Sequence, residues 1–135
     1  MKKTSILNKL RSSGLRPTKQ RVEIAKFLFE RDKTFHFTVE SLDKLLAKKT
    51  TSKFALATIY NTVHAFKKAG HLSEVEVRGK KTYFDTNITN HHHFYDSETC
   101  ELIDIDANDV VIQKIPKAPN GKKIKNVEVF INLKN

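Results

Sequence analysis

Apolar residues recur at helical spacing in successive segments up to Gly70, and the period then changes. Val22, Ala25, Leu28 and Phe29 mark one stripe, Leu42, Leu45 and Leu46 a second, and Ile59, Val63 and Phe66 a third. A shorter stripe, Ile6, Leu7 and Leu10, lies within residues 4–13, which Ser12-Ser13-Gly14 closes. Thr18, behind Pro17, suits an N-cap for a helix running to about Glu30. Thr38 suits a second, with Glu40 in the first turn, where a negative charge complements the helix dipole. Within residues 52–70, Lys67-Lys68 and Gly70 form a stop signal. Beyond it, Leu72–Val77 and Lys81–Asp85 read as two strands joined by Arg78-Gly79-Lys80. Three helices followed by a basic-tipped hairpin is the plan of a winged helix.

Charge divides the chain in the same way. Residues 1–81 hold 19 Lys and Arg against 7 Asp and Glu, a net of +12; residues 82–135 hold 6 against 8, a net of −2. The first half carries the electrostatic footprint of a polyanion binder. On the helix of residues 52–70, the side opposite the apolar stripe shows Thr58, Asn61 and Thr62, with Tyr60 near the boundary. Small hydrogen-bonding groups on one face let a helix enter a major groove. The same pattern also suits an ordinary amphipathic helix. Arg78, Lys80 and Lys81 at the hairpin tip would lie near phosphate or the minor groove.

The polar run Thr86-Asn87-Ile88-Thr89-Asn90 suits a hinge, which gives residues 1–85 as one domain, 86–90 as linker and 91–135 as a second domain. In the second, His91–Tyr95 and Leu102–Ile105 read as strands and Asp106–Lys114 as a short helix. Val127, Val129, Ile131 and Leu133 read as the buried face of a last strand. Three strands and one helix make a poor core for a monomer, and a dimer would join or pack two such sheets. The expected class is therefore α+β: an N-terminal winged-helix domain followed by a small α/β dimerisation domain.

His91-His92-His93 carries the chemistry of that second domain. On a strand, His91 and His93 point to one face and His92 to the other. Two imidazoles beside a carboxylate such as Asp85 can form part of a divalent-metal site. The alternative is a solvated surface strand. Cys100 is the only cysteine, so a Cys-x-x-Cys zinc site and an intrachain disulfide are excluded; the residue reads as a small buried hydrophobe, with a redox or haem-ligand role as the alternative. No nucleophile or general-base constellation points to an enzyme. No apolar run has the length of a spanning helix, and no apolar signal core follows Met1-Lys2-Lys3-Thr4-Ser5. The chain thus reads as cytoplasmic, with no membrane partner.

Several of these pieces resemble the ferric uptake regulator superfamily. The matching segments are Gly14-Leu15-Arg16-Pro17-Thr18-Lys19-Gln20-Arg21, His36-Phe37-Thr38-Val39-Glu40-Ser41-Leu42, Leu56-Ala57-Thr58-Ile59-Tyr60-Asn61-Thr62-Val63 and the histidine run. Within the superfamily the chain is most similar to the iron response regulator branch, Irr. That similarity rests on Thr82-Tyr83-Phe84-Asp85-Thr86-Asn87, His91-His92-His93-Phe94-Tyr95, Glu101-Leu102-Ile103-Asp104-Ile105 and Pro119-Asn120-Gly121.

The resemblance implies a homodimer on a palindromic double-stranded DNA operator, with Ala55–Ala69 as recognition helix. It implies DNA contacts from Arg16, Lys19, Arg21, Thr58, Tyr60, Asn61, Arg78 and Lys80. Asn61 stands where many relatives carry Arg, and Asn favours adenine where Arg favours guanine. The sensory metal site maps onto His36, Asp85, His91, His93 and Asp104, a set suited to iron(II), manganese(II) or zinc. Asp at 85 and 104 resembles the peroxide-sensing branch. The iron response regulator branch implies regulation of iron and haem homeostasis, with haem ligated by His91, His92 or His93. Asp96 and Thr99 occupy the places of the family's first structural Cys-x-x-Cys, so a structural zinc held by four cysteines is not expected.

Overall fold

The computed structural model describes residues 3–77, 79 and 81–135, and the chain divides into two compact units, residues 1–88 and 89–135. In the first unit, α1 (Lys3–Ser12), α2 (Lys19–Phe29), α3 (Val39–Lys49) and α4 (Leu56–Lys68) precede β2 (Ser73–Glu76) and β3 (Thr82–Asp85), and a two-residue strand, β1 (His36–Phe37), lies between α2 and α3. The second unit contains β4 (His91–Asp96), β5 (Glu101–Asp106), a 3-10 turn (Ala107–Asp109) and β6 (Phe130–Leu133).

The helix starts follow from their caps. The Thr18 side chain accepts from the Arg21 N–H at 3.3 Å. At Thr38 a reciprocal capping box forms: Thr38 Oγ1 accepts from the Ser41 N–H at 3.1 Å, and Ser41 Oγ accepts from the Thr38 N–H at 2.9 Å. The predicted stripes supply the core: Ile6, Leu10, Val22, Ala25, Leu28, Leu42, Leu46, Ile59, Val63 and Phe66 are buried together, and Leu72 and Phe84 join them from the sheet side. One expectation fails on α4. Thr62 is buried beside Val63, not exposed on the polar face.

Sheet order in the first unit is β1-β3-β2, both pairs antiparallel. The hairpin β2–β3 was legible; β1 was not. Arg78 and Lys80, expected at the hairpin tip, lie outside the described residues. Gly79 between them has φ +73°, a conformation that favours glycine.

The second sheet has order β5-β4-β6, with β4 antiparallel to β5 and parallel to β6. The helix expected over Asp106–Lys114 is reduced to Ala107–Asp109, so no α-helix occurs among the described residues of this unit. Asp106 caps the turn by accepting from the Asn108 N–H, but Val110, Val111 and Ile112 follow, and β-branched residues propagate a helix poorly. The last strand is also shorter than predicted, and Ile131, expected inward, is exposed. Cys100 departs from expectation too. It is exposed, at φ +61° in the β4–β5 turn. That turn is closed by Asp96, whose Oδ1 accepts from the N–H groups of Glu98 and Thr99 at 2.9 and 3.4 Å. A carboxylate thus organises the place where the resemblance removes a cysteine pair. No helix among the described residues is long and apolar enough to cross a membrane.

Candidate metal-binding residues and nucleic-acid face

Within the first unit, β1 sets His36 directly opposite Asp85 on β3. The neighbouring pair, Phe37 and Phe84, is buried and stacked, with ring centroids 5.8 Å apart. Successive strand residues face opposite sides, so fixing the phenylalanines inward turns His36 and Asp85 to the other face together. His36 Nε2 lies 3.0 Å from Asp85 Oδ2. Asp85 Oδ1 accepts from the Asn87 N–H at 2.8 Å, which holds the carboxylate's orientation. Pairing continues past the strands: the Thr86 N–H donates to the Phe35 carbonyl at 3.1 Å, and the Phe35 N–H donates to Thr86 Oγ1 at 2.9 Å.

Within the second unit, β4 turns His91 and His93 to one face, where β5 presents Asp104 opposite His93. Asp104 Oδ1 lies 3.2 Å from His91 Nε2 and 3.3 Å from His93 Nε2. His91 Nδ1 is 2.6 Å from the Thr89 carbonyl oxygen. A carbonyl only accepts, so Nδ1 carries a proton and Nε2 is the ring atom placed to ligate a cation beside the carboxylate. Two imidazoles and a carboxylate oxygen gathered in this way are a donor set for a cation, and the Thr89 contact supplies the outer hydrogen bond that orients a ligating imidazole. The His93 ring also stacks on Phe130, centroids 5.8 Å apart. His92 faces the other side. Its Nδ1 accepts from the Val129 N–H at 3.0 Å, and the His93 N–H donates to the Val129 carbonyl at 3.1 Å. All three histidines are buried, at 8%, 4% and 1% exposure for His91, His92 and His93.

The basic and polar residues predicted to meet nucleic acid are all on the first unit. Tyr60 is 52% exposed on α4, and Asn61 beside it is exposed, whereas Thr58 is half-buried. Leu56, one turn before Tyr60, is equally exposed and escaped notice in the sequence. His64 sits one turn beyond Tyr60 on the same helix. Its ring lies 4.2 Å from that of Tyr60 and meets Phe84 edge-on at 5.4 Å, so it bridges the tyrosine to the hairpin. The i, i+4 spacing was the available signal. Arg16 and Lys19 are exposed around the Thr18 cap, while Arg21 is half-buried and donates from Nη1 to the Arg16 carbonyl at 3.1 Å. Lys81 lies 3.8 Å from Glu40, both exposed.

Comparison with known proteins places these features. The peroxide-responsive repressor PerR of Staphylococcus epidermidis is 30% identical over 95 residues, 70% of this chain and 61% of that protein. Its counterpart in Staphylococcus saprophyticus is 30% identical over 98 residues, 73% of this chain and 64% of that protein. The chain therefore spans less than two thirds of the length of these relatives. Among solved structures, the Vibrio cholerae ferric uptake regulator shares the fold with a TM-score of 0.71 at 20% identity, over 96% of this chain and 98% of that one. The Pseudomonas aeruginosa ferric uptake regulator, solved with manganese, has a TM-score of 0.68 at 23% identity, over 100% and 98%. The model of the ferric uptake regulator family matches residues 12–133, nearly the whole sequence, and with the fold in agreement the chain belongs to that family.

Proposed function

We propose that this chain is a DNA-binding transcriptional regulator whose operator affinity follows a divalent metal ion. The observation that carries the reading is the pair of histidine–carboxylate half-sites, His36 with Asp85 in one unit and His91 and His93 with Asp104 in the other. Neither half alone supplies the four or more protein donors of a closed site. Only a short run, residues 86–90, separates Asp85 from His91 in sequence. We assign all five side chains to one cation. Three imidazoles with two carboxylates suit iron(II) or manganese(II), and the single cysteine leaves no means to build a four-cysteine zinc site. When bound, such an ion supplies a positive charge that offsets two carboxylates and ties together the segments that hold them.

The chain's own residues carry the rest. Tyr60 and Asn61 on α4 read base edges of double-stranded DNA in a winged-helix arrangement, and Arg16, Lys19 and Arg21, with Arg78 and Lys80, meet phosphate. The second unit pairs with its copy, so the homodimer presents two recognition helices to a palindromic operator. The likeness to peroxide-responsive repressors supports a peroxide arm in the test.

Haem control of iron homeostasis, implied by the resemblance to the iron response regulator branch, asks for an imidazole of the 91–93 run that faces outward. All three are buried, and His92 Nδ1 already accepts the Val129 N–H. These facts support the divalent metal over haem. The decisive experiment selects an operator from random duplex DNA, then measures its binding during anaerobic titration with manganese(II), iron(II) and haem, and after hydrogen peroxide. Sequence-specific binding that moves with the metal ions supports the reading. A protein that selects no DNA sequence, or binds its operator identically in every arm, refutes it.

A further inference from the structure

The second unit has two apolar features with exposed surface that complement each other. The first is one face of its sheet. Phe94 pairs with Ile103 on one side and Ile131 on the other, so the three form a single row across β5-β4-β6. Ile103 and Ile131 are 47% and 42% exposed. The next row on the same face is acidic at Asp96 and Glu101, which pair with each other. This is the face opposite His91 and His93.

The second feature is residues 110–125, which form no helix or strand. Val111 is 89% exposed, and Ile115 and Ile124 are each 49% exposed. The segment contains Lys114, Lys117, Lys122, Lys123 and Lys125 and no acidic residue. Pro116 and Pro119 lack an N–H and fix φ, which disfavours a helix or a paired strand across them. A turn follows, closed by the Lys122 N–H on the Pro119 carbonyl at 3.0 Å with Gly121 at φ +80°. A stretch of this length without secondary structure is unusual inside a compact unit, and Val111, Ile115 and Ile124 keep much of their apolar surface in water.

We propose that residues 110–125 are an arm that lies on the Ile103–Phe94–Ile131 face of a second copy of this chain, each copy giving an arm and receiving one. Apolar residues of the arm then meet the apolar row, and Lys114 and Lys117 meet Asp96 and Glu101. The same chain carries a basic arm and an acidic-edged face, so one twofold axis satisfies both contacts at once. Within a single copy Ile105 and His92 on this face are buried, but Ile103 and Ile131 stay exposed, as do Val111 and Ile115 of the arm. This inference rests on the homodimer proposed above and specifies its contact.

Sedimentation of the full chain across nanomolar to micromolar concentrations tests it. Two charge-reversed variants are compared, Lys114→Glu with Lys117→Glu on the arm and Glu101→Lys on the face. Each alone places like charges together and should raise the dimer dissociation constant by about tenfold or more. An equimolar mixture should restore wild-type affinity as a heterodimer, because both of its arm–face contacts then pair opposite charges. Val111→Ser with Ile115→Ser should weaken the dimer without rescue by either partner. A wild-type dimer that these changes leave untouched, or charge variants that weaken it without rescue on mixing, overturns the arm while leaving the dimer standing. A wild-type chain that sediments only as monomer overturns the dimer itself.

Discussion

Asp85 is the register partner of His36, and its two carboxylate oxygens are divided between that imidazole, 3.0 Å from Oδ2, and the Asn87 N–H, 2.8 Å from Oδ1. One oxygen thus holds the backbone that leaves the hairpin, and the other faces a candidate ligand. Asp85→Asn preserves a backbone acceptor and removes the charge. It should keep the fold but lower manganese(II) affinity by at least about tenfold, since loss of an outer partner alone costs about 10–100-fold. Asp85→Ala should in addition lower unfolding free energy by about 1 kcal/mol, because the half-buried Asn87 N–H then loses its acceptor. Urea melts without metal and a manganese titration separate the two effects. Unchanged manganese affinity in Asp85→Asn would remove this residue from the site.

Tyr60→Ala should weaken binding to the selected operator by about 1–3 kcal/mol while leaving random duplex nearly unaffected. Lys19→Ala should weaken both alike and flatten the salt dependence, as loss of a phosphate contact does. Equal losses on operator and random DNA for Tyr60→Ala would contradict its base-reading role. His64→Ala should resemble Tyr60→Ala in milder form, because His64 props the tyrosine ring and is itself packed on Phe84.

His71 predicts acid sensitivity. Its imidazole packs edge-on against Phe29 and Phe66, and Nε2 is 2.8 Å from Ser13 Oγ. Burial, reinforced by the charge of Lys9, holds its pKa below the ordinary imidazole value. The unfolded chain therefore takes up the proton more readily than the folded one. The contribution of the neutral ring is complete above the ordinary imidazole pKa and declines as pH falls from there through the lowered folded value. Thermal melts between pH 7.5 and 5 should show a shallower acid loss in His71→Gln than in wild type. The other histidines are common to both proteins, so parallel pH profiles would argue against this account.

The parts of the fold legible in sequence are those set by local rules. Thr18 and Thr38 announce helix starts through side-chain capping, and the stripes of Val22, Leu42 and Ile59 announce the faces that meet in the core. Strand β1 was hidden because two residues are too few for a period, and its pairing with β3 spans nearly fifty residues of sequence. Thr62 lies three residues after Ile59 and four before Phe66, so helical spacing places it on the apolar stripe, and its methyl group suits the burial that its hydroxyl disguised. Alternation alone placed His91 and His93 together on one strand face. The companion carboxylate, Asp104, came only from the family resemblance, since a lone acid between two isoleucines also suits an edge strand.

The strongest test of the sensor combines His91→Ala with His93→Ala. Both imidazoles lie against Asp104 Oδ1, at 3.2 and 3.3 Å, and neither belongs to the unit that carries Tyr60 and Asn61. Their removal should therefore leave the proposed DNA face of the first unit intact. If one cation draws ligands from both units, it constrains how the two recognition helices of a dimer are spaced, and a dimer reads half-sites only at the right spacing. An ion shifts that arrangement only by its differential affinity for the alternatives. The double variant should bind the operator as the metal-free wild type does, within about twofold, and show no change on adding manganese(II) or iron(II). Calorimetry should find its high-affinity metal binding gone. A double variant that still binds metal tightly and still changes its operator affinity would move the sensor away from these histidines.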